Sequence, residues 1–187
     1  MTNGSAPHLD AEPLPSLDEL HSRGTAIVLR KLNANQRTRF ELARCLSEKD
    51  IPRDVAESIL DRVTELGYIN DSEFAIEWVR TRIRTRGSAP SVLRRELMAK
   101  GVGPDLIDEA LADIDPLDMR DRAQQLAEKK YRNMSGLPGT VALRRIASLL
   151  QRKGYSASES WTIAREVVGG DVEELETEVI DSPRDYQ

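Results

Sequence analysis

Arginine is the residue type in this sequence whose spacing most clearly suggests chemistry. Four arginines alternate along one predicted helix, two more follow on the next, and four cations lie further along the chain: Arg80, Arg82, Arg84, Arg86, Arg94, Arg95, Arg144, Arg145, Arg152 and Lys153. A guanidinium group presents a planar fork of donors that suits the carboxylates of a protein and the phosphates of a nucleic acid equally well. We therefore predict a partner-binding or nucleic-acid-binding surface. Any single arginine could instead pair locally with Glu73, Glu77 or Glu96 on a solvated face.

Residue types that catalyse reactions or bind metals are few and poorly placed. Cys45 lies beside Leu42 and Leu46 on the apolar side of its predicted helix, which favours a buried small side chain over a nucleophile. His8 and His21 fall in a leader predicted to be disordered, where no base or metal ligand is held in position. The sequence has no phosphate-binding glycine loop and no metal-ligand spacing. We predict a protein that is not an enzyme and uses no cofactor or metal.

The net charge of −5 averages regions of opposite sign. Residues 1–22 carry four acids and no Lys or Arg, and residues 169–187 carry seven acids against Arg184. The residues between them, 23–168, therefore hold a net charge of +5. Both ends combine acids and prolines with scattered apolar residues, so we predict that 1–22 and 169–187 are disordered. The acidic tail suggests an electrostatic cover over the basic body, against a purely solubilising role.

The sequence also bears on where the protein resides. No stretch approaches the ~20 consecutive apolar residues of a membrane-spanning helix. The first residues lack the basic and apolar regions of a secretory signal. Cys45, the single cysteine, forms no internal disulfide, which suits a reducing compartment. We expect a soluble, cytoplasmic protein that is monomeric and does not contact membranes.

The sequence predicts helices clearly, because apolar residues recur at intervals of three and four, which is the spacing of amphipathic helices. Phe74 and Trp78, one turn apart, are expected to be core anchors rather than base-stacking platforms. Gly67, Gly87, Gly101 and Gly154 follow helical segments, where left-handed caps favour glycine. We predict an all-α protein with nine helices over about 24–33, 36–49, 52–66, 71–86, 89–100, 104–113, 116–131, 138–153 and 156–168.

The helical pattern repeats about every fifty residues. A shift of 51 places Leu42, Leu46, Lys49, Ile51, Val55, Ala56, Ile59, Leu60 and Val63 on Leu93, Leu97, Lys100, Val102, Leu106, Ile107, Ala110, Leu111 and Ile114. A further shift of 53 brings Leu97 onto Leu150 and Gly101 onto Gly154. There the apolar pair Leu106 and Ile107 meets Glu159 and Ser160, and Trp161 is expected to supply the missing bulk. We predict three tandem three-helix repeats over 23–69, 70–115 and 116–168, because such units bury their apolar faces by stacking.

Several motifs in this repeat frame resemble the RecX family of bacterial regulatory proteins. They are Arg37-Thr-Arg-Phe-Glu-Leu42, Leu66-Gly-Tyr-Ile-Asn-Asp-Ser-Glu-Phe-Ala75, Arg86-Gly-Ser-Ala-Pro90, Lys100-Gly-Val102 and Arg152-Lys-Gly-Tyr155. The resemblance covers about 25–168 and implies an elongated, curved array of three-helix modules. It also implies a regulator of DNA repair and the SOS response that lodges in the groove of the RecA filament on DNA. Such a protein restrains the recombinase, ATPase and co-protease activities of RecA.

Two other interpretations stay open beside a RecA-filament modulator. A helix-turn-helix pair over 89–100 and 104–113 would make this a DNA-binding protein that acts without RecA. The weakness of that interpretation is the acidic second helix, which carries Asp105, Asp108, Glu109 and Asp113. The other is a plain helical scaffold with no partner that the sequence names. Whether DNA phosphates are contacted directly is likewise left open.

Overall fold

A computed structural model describes residues 15–134 and 136–169, and these residues form nine α-helices with no β-strand among them. The helices are α1 (Leu17–Ala34), α2 (Arg39–Ser47), α3 (Arg53–Glu65), α4 (Asp71–Arg86), α5 (Pro90–Ala99), α6 (Pro104–Ala112), α7 (Pro116–Arg132), α8 (Gly139–Arg152) and α9 (Ala157–Val168). The predicted all-α fold is confirmed. Every helix but the first begins and ends within three residues of its predicted bounds.

The first helix begins earlier than predicted. α1 starts at Leu17, so the prediction of a disordered leader over 1–22 is wrong for residues 17–22, and His21 lies on a helix. The cause is a reciprocal cap: Ser16 Oγ accepts from the backbone N–H of Glu19 at 3.2 Å, and the Glu19 carboxylate accepts from the Ser16 N–H at 2.8 Å. Leu20 is buried and anchors the added turn. The rest of the predicted leader, and the tail from residue 170, lie outside the described residues.

The chain divides into two compact units, one ending at Asn70 and the other beginning at Asp71. The first unit is a three-helix domain, α1–α3, whose core is centred on Leu42, Leu46 and Leu60. Gly24 on α1 sits so close to α3 that a Cβ built there would lie 2.5 Å from Ile59 Cδ1. Glycine therefore allows the close approach of these two helices.

The second unit contains two more three-helix domains. The second domain, α4–α6, has a core formed by Phe74, Ala75, Val79, Leu93, Leu97, Val102 and Ile107. The third domain, α7–α9, has a core that includes Met119, Ala123, Ala127, Leu143, Ile146, Ala147, Leu150, Ile163 and Ala164. The described residues thus form three three-helix domains in tandem, as the repeat analysis predicted.

The same turn joins the second helix to the third in every domain. Its central residue has a positive φ: 58° at Asp50, 75° at Gly101 and 96° at Gly154. In each copy, the backbone N–H of the residue after this position donates to the carbonyl five residues before it. The three bonds run from Ile51 to Leu46 at 3.1 Å, from Val102 to Leu97 at 3.1 Å and from Tyr155 to Leu150 at 3.2 Å. This is a Schellman cap, which favours glycine at the left-handed position. The three turns align at the shifts of 51 and 53 residues read from the sequence.

The third domain buries a serine where the repeat would have an apolar residue. Ser160 is fully buried, and its hydroxyl has no hydrogen-bond partner among the described residues. Trp161 is 36% exposed, so the expectation that it fills this core is wrong. On a helix of 3.6 residues per turn, Ser160 shares its face with Ile163 and Ala164, while Trp161 points about 100° away. Those two residues, both fully buried, fill the core instead.

The second and third domains are joined by a hydrogen-bonded junction within the second unit. The buried Tyr155 hydroxyl donates to the Gly87 carbonyl at 3.2 Å. Beside it, the Ala89 N–H donates to the Lys153 carbonyl at 2.8 Å, and Ser91 Oγ donates to the Gly154 carbonyl at 2.6 Å. The turn that follows α4 is therefore held against the turn that follows α8.

The repeated turn predicts opposite effects of two matched substitutions. Asp50→Gly should raise the free energy of unfolding by about 0.5–1 kcal/mol, because it removes a Cβ from a left-handed residue. Gly101→Asp at the equivalent position should lower it by about 1 kcal/mol. Urea denaturation of both variants tests this. A lower stability of Asp50→Gly would contradict the shared cap geometry.

The junction predicts a pH-dependent loss of stability. Burial, with a smaller contribution from the nearby Glu159 carboxylate, raises the pKa of Tyr155 to about 12. The unfolded phenol ionises near pH 10 while the folded phenol stays protonated, so this stabilisation is present below pH 10 and declines as the pH rises towards 12. The free energy of unfolding of the wild type should exceed that of Tyr155→Phe by about 1 kcal/mol at pH 8. This difference should disappear by about pH 11. A difference that stays constant between these pH values, in urea denaturation, would exclude this role.

Candidate partner-binding surface

Arg82 is held within the second domain by an aromatic and a carboxylate. Its Nε donates to Glu96 Oε2 at 3.0 Å, and its guanidinium carbon lies 4.0 Å from the centroid of the Trp78 ring. Trp78 Nε1 donates to the same carboxylate oxygen at 2.8 Å, while Lys100 Nζ lies 4.4 Å from the same ring centroid. The Arg82 side chain is only 20% exposed. This is the local pairing with Glu96 that the sequence left open, and it ties α4 to α5.

The arginines of α5 make local contacts but remain exposed. Arg94 forms an ion pair with Asp108 on α6 at 2.5 Å, with 44% of the arginine side chain exposed. Arg95 Nε donates to the Ser91 carbonyl one turn earlier at 3.3 Å. An exposed ion pair such as that of Arg94 contributes little to stability, so Arg94 can exchange this contact for a partner at low cost.

Arg80 and Arg84 lie one turn apart on α4 and line a cleft of about 400 Å³ between α4, α6 and α7. The apolar part of its lining comes from all three helices and the turn before α7: Ile76, Val79, Ile83, Ala110, Ile114 and Met119. Around it stand charged residues of both signs: Arg80, Arg84, Arg122, Glu109, Asp113, Asp115 and Asp118. We call this the α4–α6–α7 cleft. Its volume falls in the range of ligand-binding clefts, and its lining is more charged than is usual for them.

In the part of the chain that the structure describes, charged side chains of both signs line the cleft without forming close ion pairs with one another. Among the described residues, no ion pair within 4.0 Å joins the three arginines of the cleft to its four carboxylates. An occupant with both acidic and basic side chains around an apolar centre would satisfy them. The carboxylates would repel a phosphate backbone. The cleft is therefore better suited to a protein segment than to nucleic acid.

The remaining predicted cations fall into two further groups. Arg86 ends α4, and Arg152 and Lys153 end α8, so these three flank the junction between the second and third domains. Arg144 and Arg145 are exposed on α8, away from its ends. The structure thus distributes the ten predicted residues over distinct surfaces instead of one patch.

When charges are counted by domain, the excess of positive charge lies in the third domain and not in the second. Residues 71–115 carry seven basic and nine acidic side chains, a net charge of −2. Residues 116–169 carry ten basic and five acidic side chains, a net charge of +5. The third domain includes Lys129, Lys130 and Arg132, which are exposed at the end of α7 and which the sequence analysis overlooked. Their signal was visible as the run Lys129-Lys-Tyr-Arg132.

Three tandem three-helix domains place the described residues in the class of all-α proteins built from helical repeats. No helix in the described ranges is long and apolar enough to cross a membrane. Models of the second and third three-helix domains of RecX match residues 70–111 and 118–163. The chain belongs to the RecX family of regulatory proteins.

Individual relatives support this assignment over most of the chain. Regulatory protein RecX of Streptomyces coelicolor is 41% identical over 151 residues, which are 81% of this chain and 80% of the relative. Regulatory protein RecX of Mycolicibacterium smegmatis is 37% identical over 171 residues, covering 85% of this chain and 91% of its own. The crystal structure of RecX from Lactobacillus salivarius aligns with a TM-score of 0.69 at 28% identity, over 80% of this chain and 97% of that one.

The different environments of Arg82 and Arg94 predict that their substitution by alanine lowers the free energy of unfolding by different amounts. Arg82→Ala should lower the free energy of unfolding by about 1–2 kcal/mol, because it leaves the half-buried Glu96 carboxylate without its ion pair and uncovers Trp78. Arg94→Ala breaks an exposed pair and should cost about 0.5 kcal/mol or less. Urea denaturation of the two variants measures the difference. Equal costs would show that Arg82 is as free as Arg94.

Proposed function

We propose that this protein binds the filament that RecA forms on DNA and lowers the recombinase, ATPase and co-protease activities of RecA, in DNA repair and the SOS response. The observation that carries the proposal is membership in the RecX family, at 41% identity over 81% of the chain to a protein named Regulatory protein RecX. RecA and its DNA lie in the bacterial cytoplasm, so the protein acts there. It acts by binding and not by catalysis.

The α4–α6–α7 cleft supports a protein partner. It offers Arg80 and Arg84 to carboxylates, and Glu109 and Asp113 to basic side chains, on either side of apolar residues. Opposite charges arranged in this way select one partner surface and one orientation. Binding changes filament assembly only if the protein prefers one arrangement of RecA protomers over another. We infer that it prefers an arrangement in which RecA is less active.

The second domain argues against the alternative of a helix-turn-helix protein that reads DNA without RecA. The helix that would enter the major groove is α6, which exposes Asp105, Asp108 and Glu109. Arg94, on the preceding helix, is already paired with Asp108. Carboxylates at this position would face phosphates of the same charge, which opposes binding.

Co-sedimentation with RecA filaments tests the proposed function. RecA is assembled on single-stranded DNA with a slowly hydrolysed nucleotide, and DNA alone and free RecA serve as controls. The proposal predicts saturable binding that requires the filament, with little binding to naked DNA. Strong, salt-sensitive binding to naked DNA with none added by RecA would instead support the DNA-binding alternative.

Charge reversal in the cleft tests the proposed contact surface. Arg80→Glu with Arg84→Glu should weaken filament binding by about tenfold or more, because two charge contacts become repulsive. The matched control is Arg53→Glu with Arg62→Glu, which reverses two exposed arginines on α3 of the first domain. Only the cleft variant should lose affinity. If it binds as tightly as wild type, RecA does not use this cleft.

A further inference from the structure

The charges that line the α4–α6–α7 cleft are sorted by helix. The charged residues that α4 contributes are the two arginines Arg80 and Arg84, and those of α6 and its C-cap are the two carboxylates Glu109 and Asp113. All four side chains are exposed. The third helix, α7, contributes charges of both signs. A partner that fills the cleft therefore meets positive charge on α4 and negative charge on α6.

The two charged pairs have the same spacing. Four residues separate the members of each pair, which corresponds to about 6 Å along a helix axis. Because α4 packs against α6, the pairs form two short rows of opposite sign in one cleft. Ile83 of α4 and Ala110 of α6, both half-buried, belong to the apolar lining of the same cleft. A complementary surface has acids on one edge, bases on the opposite edge and apolar side chains between them.

An α-helix can present these three groups at once, and an extended strand cannot. Successive side chains of a helix turn by about 100°, so an apolar stripe can have acids along one edge and bases along the other. The side chains of a strand point alternately to two opposite faces. A strand would also need a sheet edge to pair its backbone N–H and C=O groups, and the described residues contain no β-strand.

The size of the cleft agrees with one face of a bound helix. Its volume of about 400 Å³ can hold the apolar side chains of such a face. The helix itself, ~10–12 Å across with its side chains, would lie above the cleft. Helices that bind in grooves insert apolar residues spaced at i, i+3, i+4 and i+7. A small ligand fits less well, because this lining is more charged than that of ordinary ligand clefts.

We propose that the cleft binds an amphipathic α-helix of RecA with acids along the edge that faces α4 and bases along the edge that faces α6. This inference rests on the proposed function and adds the conformation and the charge pattern of the partner. Its distinctive consequence concerns Glu109 and Asp113. If the cleft held an anionic surface of the filament, these carboxylates would oppose binding. Beside the basic edge of a helix they contribute to binding.

Charge reversal of the two carboxylates separates these cases. Glu109→Lys with Asp113→Lys should weaken co-sedimentation with RecA filaments by about tenfold, because two attractive contacts become repulsive. The matched control is Asp18→Lys with Asp54→Lys, which changes the net charge equally at two exposed acids of the first domain and should leave the affinity unchanged. Urea denaturation checks that both variants fold as the wild type does.

The outcomes of this experiment distinguish the inference from the proposed function. Equal or tighter binding by the cleft variant, with normal binding by the wild type, would overturn the inference and leave the proposed function in place. If the wild type itself does not bind filaments, the proposed function is wrong and the inference fails with it.

Photo-crosslinking tests the conformation of the bound segment. A diazirine amino acid replaces Ile76 or Ala110, which both line the cleft, and mass spectrometry maps the crosslinks to filament RecA. Taken together, the RecA residues that the two positions reach should lie in one segment and recur at intervals of three and four. Crosslinks that recur at intervals of two, crosslinks to DNA in place of RecA, or none with bound filament would overturn the inference.

Discussion

The hydrogen bond from Tyr155 to the carbonyl of Gly87 fixes the geometry on which the candidate site depends. Two walls of the α4–α6–α7 cleft belong to the second domain and the third belongs to α7, so the cleft exists only while these domains are held together. The bond is buried, and Ser91 and Ala89 add two more contacts at the same junction. Gly87 has a φ of 58°, and a Cβ there would lie 2.6 Å from Leu126 Cδ1 on α7, so a larger residue would strain the turn and displace that side chain.

With that junction in place, neighbouring arginines on one helix take different roles. Arg80 and Arg84 face the cleft, while Arg82 turns about 160° away to Trp78 and Glu96. Because Arg82 is paired with Glu96 and packs on Trp78, it is not available to a partner. The same contacts hold α4 against α5. The contrast explains how a domain with net negative charge still presents free guanidinium groups to one cleft.

Local signals predicted most of the fold, and distant contacts account for what was missed. Helix bounds followed from spacing and caps, and Ser16 with Glu19 was a readable capping box that would have revealed the start of α1. The pairing of Arg82 with Glu96 could not be predicted from the sequence. Glu96 lies fourteen residues away on another helix, and Glu73 and Glu77 were equally suitable partners. The positive charge of the third domain could have been found from the composition of residues 116–169. Summing the charge over 23–168 combined it with the net negative charge of the second domain.

The central claim is that a RecA filament covers the unpaired arginines of the cleft. Arginine footprinting with phenylglyoxal, read residue by residue by mass spectrometry, measures this on the unmodified protein. Bound filament should slow the modification of Arg80 and Arg84, while Arg53 and Arg62 on the first domain react at the same rate as in the free protein. Unchanged rates at Arg80 and Arg84 under saturating filament would contradict the account.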